Sequence, residues 1–146
     1  GRKAEELGVA DRVQIASGFV DNVDDYYKMA DVYLFPTKAE GLGTPMLESV
    51  ACGAPVVANL IPGITDAWIK NDENGYISEL NSQEFAEKIQ KAAAFSTEQR
   101  RSESEKMLSV AGTKVIDAVY LYVLNQLTSK DSQFSKNFFG DRFEYF

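Results

Sequence analysis

Histidine is absent from all 146 residues, and cysteine occurs once, as Cys52. Without histidine the chain offers no imidazole base, no Ser-His-Asp triad and no His-ligated metal. A lone thiol forms no intramolecular disulfide, which fits a reducing compartment. Basic residues are also scarce, with 15 Lys and Arg against 22 Asp and Glu and a formal charge of −7. That balance argues against nucleic acid as a partner, because such affinity comes mainly from cations neutralising phosphates. A phosphorylated ligand would have to be cradled locally instead. No D-x-D spacing occurs among the acidic residues either. Long apolar runs are missing too: Val115 to Leu127 is interrupted by Asp117 and Asn125 and is too short to span a bilayer. Arg2-Lys3 leads into Glu5-Glu6 rather than an apolar region, so nothing reads as a signal peptide. The expected location is cytoplasmic, or at most peripheral to the cytoplasmic membrane.

What remains, 45% apolar and 25% charged residues, is the balance of one soluble globular domain. Residues 2 to 7 read as the end of an amphipathic helix closed by a left-handed Gly8. Val13 to Phe19 is a β-leaning run. Asp21 to Ala30 follows as a helix with acidic residues at its start, where they oppose the dipole. Asp31 to Pro36 reads as a strand covered on both faces. Thr44 to Cys52 reads as a helix with Thr44 as N-cap, Pro45 at the first helical position and Gly53 as its end. Pro55 to Asn59 and Gly75 to Ser78 are further strands, and Ser82 caps a helix running to Phe95. Charged helical sequence then leads to a helical pattern over Val115 to Leu127. Alternating strands and helices predict an α/β fold, a Rossmann-like parallel sheet with flanking helices. The domain is placed at 1–127. An aromatic tail occupies 128–146, with Phe139, Phe143 and Phe146 at helical spacing.

The chemistry concentrates between Phe35 and Gly53. Gly41-Leu42-Gly43 leaves a strand and runs into a helix N-terminus, where unpaired N–H groups and the helix dipole favour an anion. Glycine lets the main chain approach a ligand that a β-carbon would hold off. Glu40 precedes this loop and Glu48 lies one turn inside the helix. Glu48 is one residue too late for a capping box with Thr44, so its carboxylate has no local capping duty. A carboxylate accepts two hydrogen bonds from a vicinal diol, which suits Glu48 to a ribose and Glu40 to sugar hydroxyls. A Gly-x-Gly turn alone is a weak signal, and a lone helix glutamate is usually solvated. Strand, glutamate, Gly-x-Gly, Thr-Pro and second glutamate in this order form a far more specific pattern. Other features carry plainer readings: Asp21, Asp24 and Asp25 as a solvated helix start, Cys52 as a small core residue, and Trp68 and Tyr76 as packing aromatics.

Glu40 to Glu48 resembles the E-x7-E motif of retaining GT-B glycosyltransferases, and the segment is similar to glycosyltransferase family 4. The phrases G-F-V at Gly18, Y-x-x-A-D-V at Tyr27, A-C-G-x-P-V-V at Ala51, P-G at Pro62 and N-G-Y-I at Asn74 agree with it. The likeness covers about residues 5 to 95. It implies the C-terminal, donor-binding half of a GT-B fold, with a hexosyl group moved from a nucleotide diphosphate sugar to an acceptor hydroxyl. Glu40 would lie at the donor sugar as the catalytic-site residue, and Glu48 at the ribose hydroxyls. Gly41, Leu42, Gly43 and Thr44 would contact sugar and diphosphate, and Phe19 and Val20 would lie near the base. No cofactor and no metal are implied.

The resemblance also implies two further strands and a basic Arg and Lys pair ahead of the first strand here, together with an N-terminal domain that binds the acceptor. Without these parts the chain is expected to expose its sheet, to self-associate and not to transfer sugar alone. Two other functions fit the same residues: a GT-B nucleotide-sugar epimerase, and a non-catalytic nucleotide-sugar-binding module.

Overall fold

Val56, Val57, Ala58 and Asn59 form β2, and every one of them is buried. Side chains alternate across a strand, so β2 sends Val56 and Ala58 into one apolar cluster and Val57 into another. Only a strand with helices on both faces buries such a run, which is the geometry of a parallel α/β sheet. In this computed structural model, which describes residues 1–128, β2 lies between β1 (Tyr33–Phe35) and β3 (Gly75–Ser78). Both pairings are parallel, and the sheet among the described residues has three strands. Gly75 stands at a point of close approach, since a Cβ there would collide with the Val56 carbonyl.

The helices are α1 (Arg2–Glu6), α2 (Val23–Met29), α3 (Thr44–Ala51), α4 (Thr65–Trp68), α5 (Ser82–Ala93), α6 (Thr97–Ala111) and α7 (Thr113–Thr128). On one face of the sheet, Met46, Leu47 and Val50 of α3 and Met107 of α6 pack with Val56, Ala58 and Ile69. On the other, Ala92, Phe85 and Ile89 of α5 pack with Val57 and Tyr76. Burying a valine such as Val57 stabilises by about 1.5–3 kcal/mol, so this two-sided packing is what holds a strand of four residues in place. Arg100 fastens α6 to its surroundings. Its guanidinium donates to the carbonyls of Phe95 (3.1 Å), Ala93 (3.2 Å) and Asp31 (2.9 Å), joining the end of α5 to the entry of β1.

Several expectations need correction. Residues 13–19 form no strand; they follow a short turn at Ala10–Arg12 and leave Ile15 and Phe19 exposed. No described strand pairs with them, and β-propensity without a ladder partner does not make a strand. The cap of α3 is Gly43, one residue before Thr44, and Thr44 makes no side-chain capping bond. The cap of α5 is Asn81 rather than Ser82, its side chain accepting from the Glu84 N–H at 2.8 Å. Helix α4, four residues long, is too short for a helical period to show in the pattern. Thr65 anchors it, donating to the Asn59 carbonyl at 2.9 Å and accepting from the Ile61 N–H at 2.7 Å. The run Thr97–Asn125 is by length and composition a helix able to cross a membrane, 6% of its apolar window being buried. It is longer than Val115 to Leu127 because α6 continues almost directly into α7 across Gly112. The aromatic stripe at Phe139, Phe143 and Phe146 lies outside the described residues.

As expected, Gly8 is left-handed (φ 67°) after α1, and Gly53 (φ 88°) follows α3. Trp68 and Tyr76 are packing residues: Trp68 adjoins the α3 cluster, and Tyr76 is 5% exposed with its hydroxyl on Asp72 at 2.6 Å. Burial, with Asp72 beside it, pushes the Tyr76 phenol up to about 12. Asp24 and Asp25 occupy the first turn of α2, with Lys28 2.6 Å from Asp24.

Candidate functional site

In a parallel α/β sheet, ligands gather outside the carboxyl ends of the strands, and here that region is built by the segment leaving β1. Its start is fixed by Asn59, a buried residue at the end of β2 whose side-chain oxygen accepts from the Thr37 N–H at 2.8 Å. The Thr37 hydroxyl donates in turn to the Ala39 carbonyl at 2.9 Å. The chain then passes Glu40, Gly41 and Leu42 to Gly43. Gly43 adopts φ 78°, and its carbonyl accepts the first helical N–H, from Met46, at 2.8 Å. A side chain at that angle is disfavoured by contact of its Cβ with backbone, which accounts for glycine at the cap.

The loop N–H groups converge on an oxygen, as the glycine pattern predicts, but that oxygen belongs to the protein. Glu40 Oε1 accepts from the N–H of Gly41 at 2.8 Å and from that of Leu42 at 3.4 Å. The amides of Gly41, Leu42 and Gly43 hold the Glu40 carboxyl below the usual carboxylate range. Helix-entry donors without partners take the nearest acceptor, and the preceding carboxylate is within reach. Leu42 is exposed, as is Thr44 at the first helical position. Pro45 has no N–H to give.

Glu48 lies in the second turn of α3 with an exposed side chain. Its partner comes from 21 residues upstream: the Tyr27 hydroxyl donates to Glu48 Oε2 at 3.3 Å. Tyr27 belongs to α2, is 7% exposed, and meets Tyr33 of β1 edge-on with ring centres 5.3 Å apart. Burial, reinforced by the neighbouring Tyr33 and Glu48, raises the Tyr27 phenol well above its ordinary value, so it stays protonated and donating. Tyr27 opens the Y-x-x-A-D-V phrase, but two adjacent tyrosines look alike in sequence; the burial of Tyr27 beside exposed Tyr26 is what distinguishes it. Glu48 also borders a cleft of about 300 Å³ between α3 and α6, lined by Thr44, Leu47, Ala51, Met107 and Leu108.

The structure thus gathers Glu40, Gly41, Leu42, Gly43, Thr44 and Glu48 around one helix entry. It does not pack Phe19 there: that ring is 92% exposed, and half-buried Val20 follows it in irregular chain ahead of α2. Cys52 follows α3 half-buried, and burial raises its thiol above the ordinary range. That environment disfavours a thiolate nucleophile.

Comparison with known proteins shows the family and the fold. The sequence model of glycosyl transferases group 1 matches residues 2–109. The chain is similar to D-inositol 3-phosphate glycosyltransferase of Acidothermus cellulolyticus, with 40% identity over 75 residues, 51% of this chain and 16% of that protein. It is also similar to the lipopolysaccharide core biosynthesis glycosyltransferase LpsE of Rhizobium meliloti, with 31% identity over 129 residues, 87% of this chain and 37% of that protein. Among solved structures, sucrose-phosphate synthase from Thermosynechococcus elongatus superposes with a TM-score of 0.71 at 22% identity, over 88% of this chain and 34% of that one. This last likeness shows the fold, which is that of the GT-B enzymes. In all three the chain spans well under half the length of the protein it matches.

Proposed function

This chain belongs to the glycosyl transferases group 1 family, and on that footing we propose that it binds the donor in a retaining glycosyltransferase. The enzyme would move a hexosyl group from a nucleotide diphosphate sugar to an acceptor hydroxyl. One observation carries the reading: the N–H groups of Gly41 and Leu42 already converge on a carboxylate oxygen, Glu40 Oε1, at the entry of α3. A group of donors that holds one anionic oxygen can hold another, and the helix dipole adds to the attraction.

In this reading the donor's diphosphate and sugar oxygens replace the Glu40 carboxylate on those amides, with Gly43 and Thr44 completing the contact surface. Released from the loop, Glu40 turns to the sugar hydroxyls as the catalytic-site residue. Glu48 accepts from the ribose diol, and Phe19 and Val20 lie toward the base, where an exposed aromatic ring offers a stacking face. The chemistry needs no metal and no cofactor. It rests on stabilising charge on the departing diphosphate by preorganised donors. The acceptor, a glycan, a lipid or another hydroxyl compound, is held by a further domain.

The test is calorimetric titration of the full chain with UDP, GDP and ADP, followed by Glu48→Ala. Loss of the ribose contact weakens binding by about 1–3 kcal/mol, the range for hydrogen bonds to a charged group. Equal affinity in wild type and Glu48→Ala for whichever nucleotide binds would remove the ribose role. Turnover of donor without acceptor would favour an epimerase instead, and binding without any turnover a non-catalytic module.

A further inference from the structure

Tyr27 and Tyr26 are neighbours on α2 with opposite fates, Tyr26 half exposed and Tyr27 7% exposed. Burying a phenol requires a partner for its hydroxyl, and many tyrosines satisfy this with a backbone carbonyl. Tyr27 instead donates to Glu48 Oε2 at 3.3 Å. Its ring is braced from behind: Tyr33 meets it edge-on at 5.3 Å, and Phe35 stacks on Tyr33 at 6.2 Å. Both bracing residues come from β1, the strand that delivers the glycine loop. Among the described residues no other group donates to the Glu48 carboxylate, and its side chain is otherwise open to the surface.

We infer that Tyr27 is a positioning residue for Glu48, holding one carboxylate oxygen so that the other faces the two ribose hydroxyls of a nucleotide. The inference rests on the ribose reading of Glu48 proposed above. A free glutamate on an exposed helix face samples several rotamers, and ordering it on binding costs conformational entropy. A buried phenol whose own position is fixed by β1 removes much of that cost before the nucleotide arrives, which is preorganisation in the ordinary sense. The same bond couples the ribose contact to the strand that carries the loop. Ribose and diphosphate contacts are thereby held in one frame by α2, β1 and α3.

The measurement is the ratio of affinities for a ribonucleoside diphosphate and its 2′,3′-dideoxy counterpart, taken for UDP, GDP and ADP on the full chain. A ratio measured within one preparation is insensitive to a fraction of inactive protein. Tyr27→Phe keeps the ring and its packing and removes the hydroxyl, and it should reduce the ratio about threefold to tenfold, the span of a single hydrogen bond. Dideoxy affinity should stay where it was, and Tyr26→Phe should leave the ratio unchanged. In a Glu48→Ala background Tyr27→Phe should have no further effect, since the group it positions is gone. A ratio that Glu48→Ala collapses and Tyr27→Phe leaves intact would overturn the Tyr27 proposal alone. A ratio unchanged by Glu48→Ala would overturn the ribose reading and this inference with it.

Discussion

Replacing Gly43 by alanine tests the loop geometry most directly, with Gly41→Ala as its partner experiment. Gly43 sits at φ 78°, where an L side chain costs about 1–2 kcal/mol. The added Cβ would also strike the end of the Met46 side chain and lie 3.7 Å from Glu40 Cγ. Met46 is fully buried in the α3 cluster, so it gives way only by disturbing the core, an overpacking cost of about 1–3 kcal/mol. Together these predict a loss of roughly 2–5 kcal/mol, or on the order of 10 °C in Tm for a domain of this size. A Cβ at Gly41 meets nothing within 4 Å, and its backbone is not left-handed. Gly41→Ala should therefore change stability by no more than about 0.5 kcal/mol, as for an ordinary surface position. It should still weaken nucleotide diphosphate binding, because the new methyl stands where the ligand approaches. Urea unfolding and calorimetric titration of the full chain give both quantities. Equal stability of the two variants would refute the backbone argument. Undiminished binding by a stably folded Gly41→Ala would refute the placement of the ligand on this loop.

Two further outcomes follow from the contacts around the site and the core. Glu40 has a depressed folded-state pKa, so its contribution to loop order is present above the unfolded value and is lost as pH falls through the folded one. The Gly41 and Leu42 amide resonances should titrate with a midpoint below the ordinary 4.5, and Glu40→Gln should abolish that step; a midpoint at or above 4.5 would contradict the bonding described here. Arg100→Ala removes three charge-assisted bonds to carbonyls and should destabilise by about 2–4 kcal/mol in urea unfolding, with Arg100→Lys recovering little because an ammonium cannot match the planar fork. A loss under about 0.5 kcal/mol would show that the end of α5 is held by other contacts.

What the sequence alone determined is local. The runs at β2 and β3 form strands where their composition predicts. The cover on both faces predicted for Asp31 to Pro36 is found instead at β2, because β1 lies at the edge of the described sheet and leaves Leu34 44% exposed. Gly53 closes α3 and Pro45 opens it within a residue of where the pattern predicts, because capping and φ restriction depend on nearest neighbours. The spacing of Glu40 and Glu48 around a glycine loop puts both carboxylates near one helix entry, which follows from the local sequence order. What only the tertiary structure decided depends on residues far apart in the chain. Val13 to Phe19 has the composition of a strand but no described ladder partner, so propensity found nothing to act on. Gly43 rather than Thr44 caps α3 because the path out of β1 turns left-handed there. Glu40 folds back onto the loop amides because that path brings them within reach. Tyr27 finds Glu48 across 21 residues, and Arg100 finds Asp31 across 69. Helical or strand periodicity shows which face of an element is apolar, but the element that will cover that face is chosen by the packing of the whole sheet.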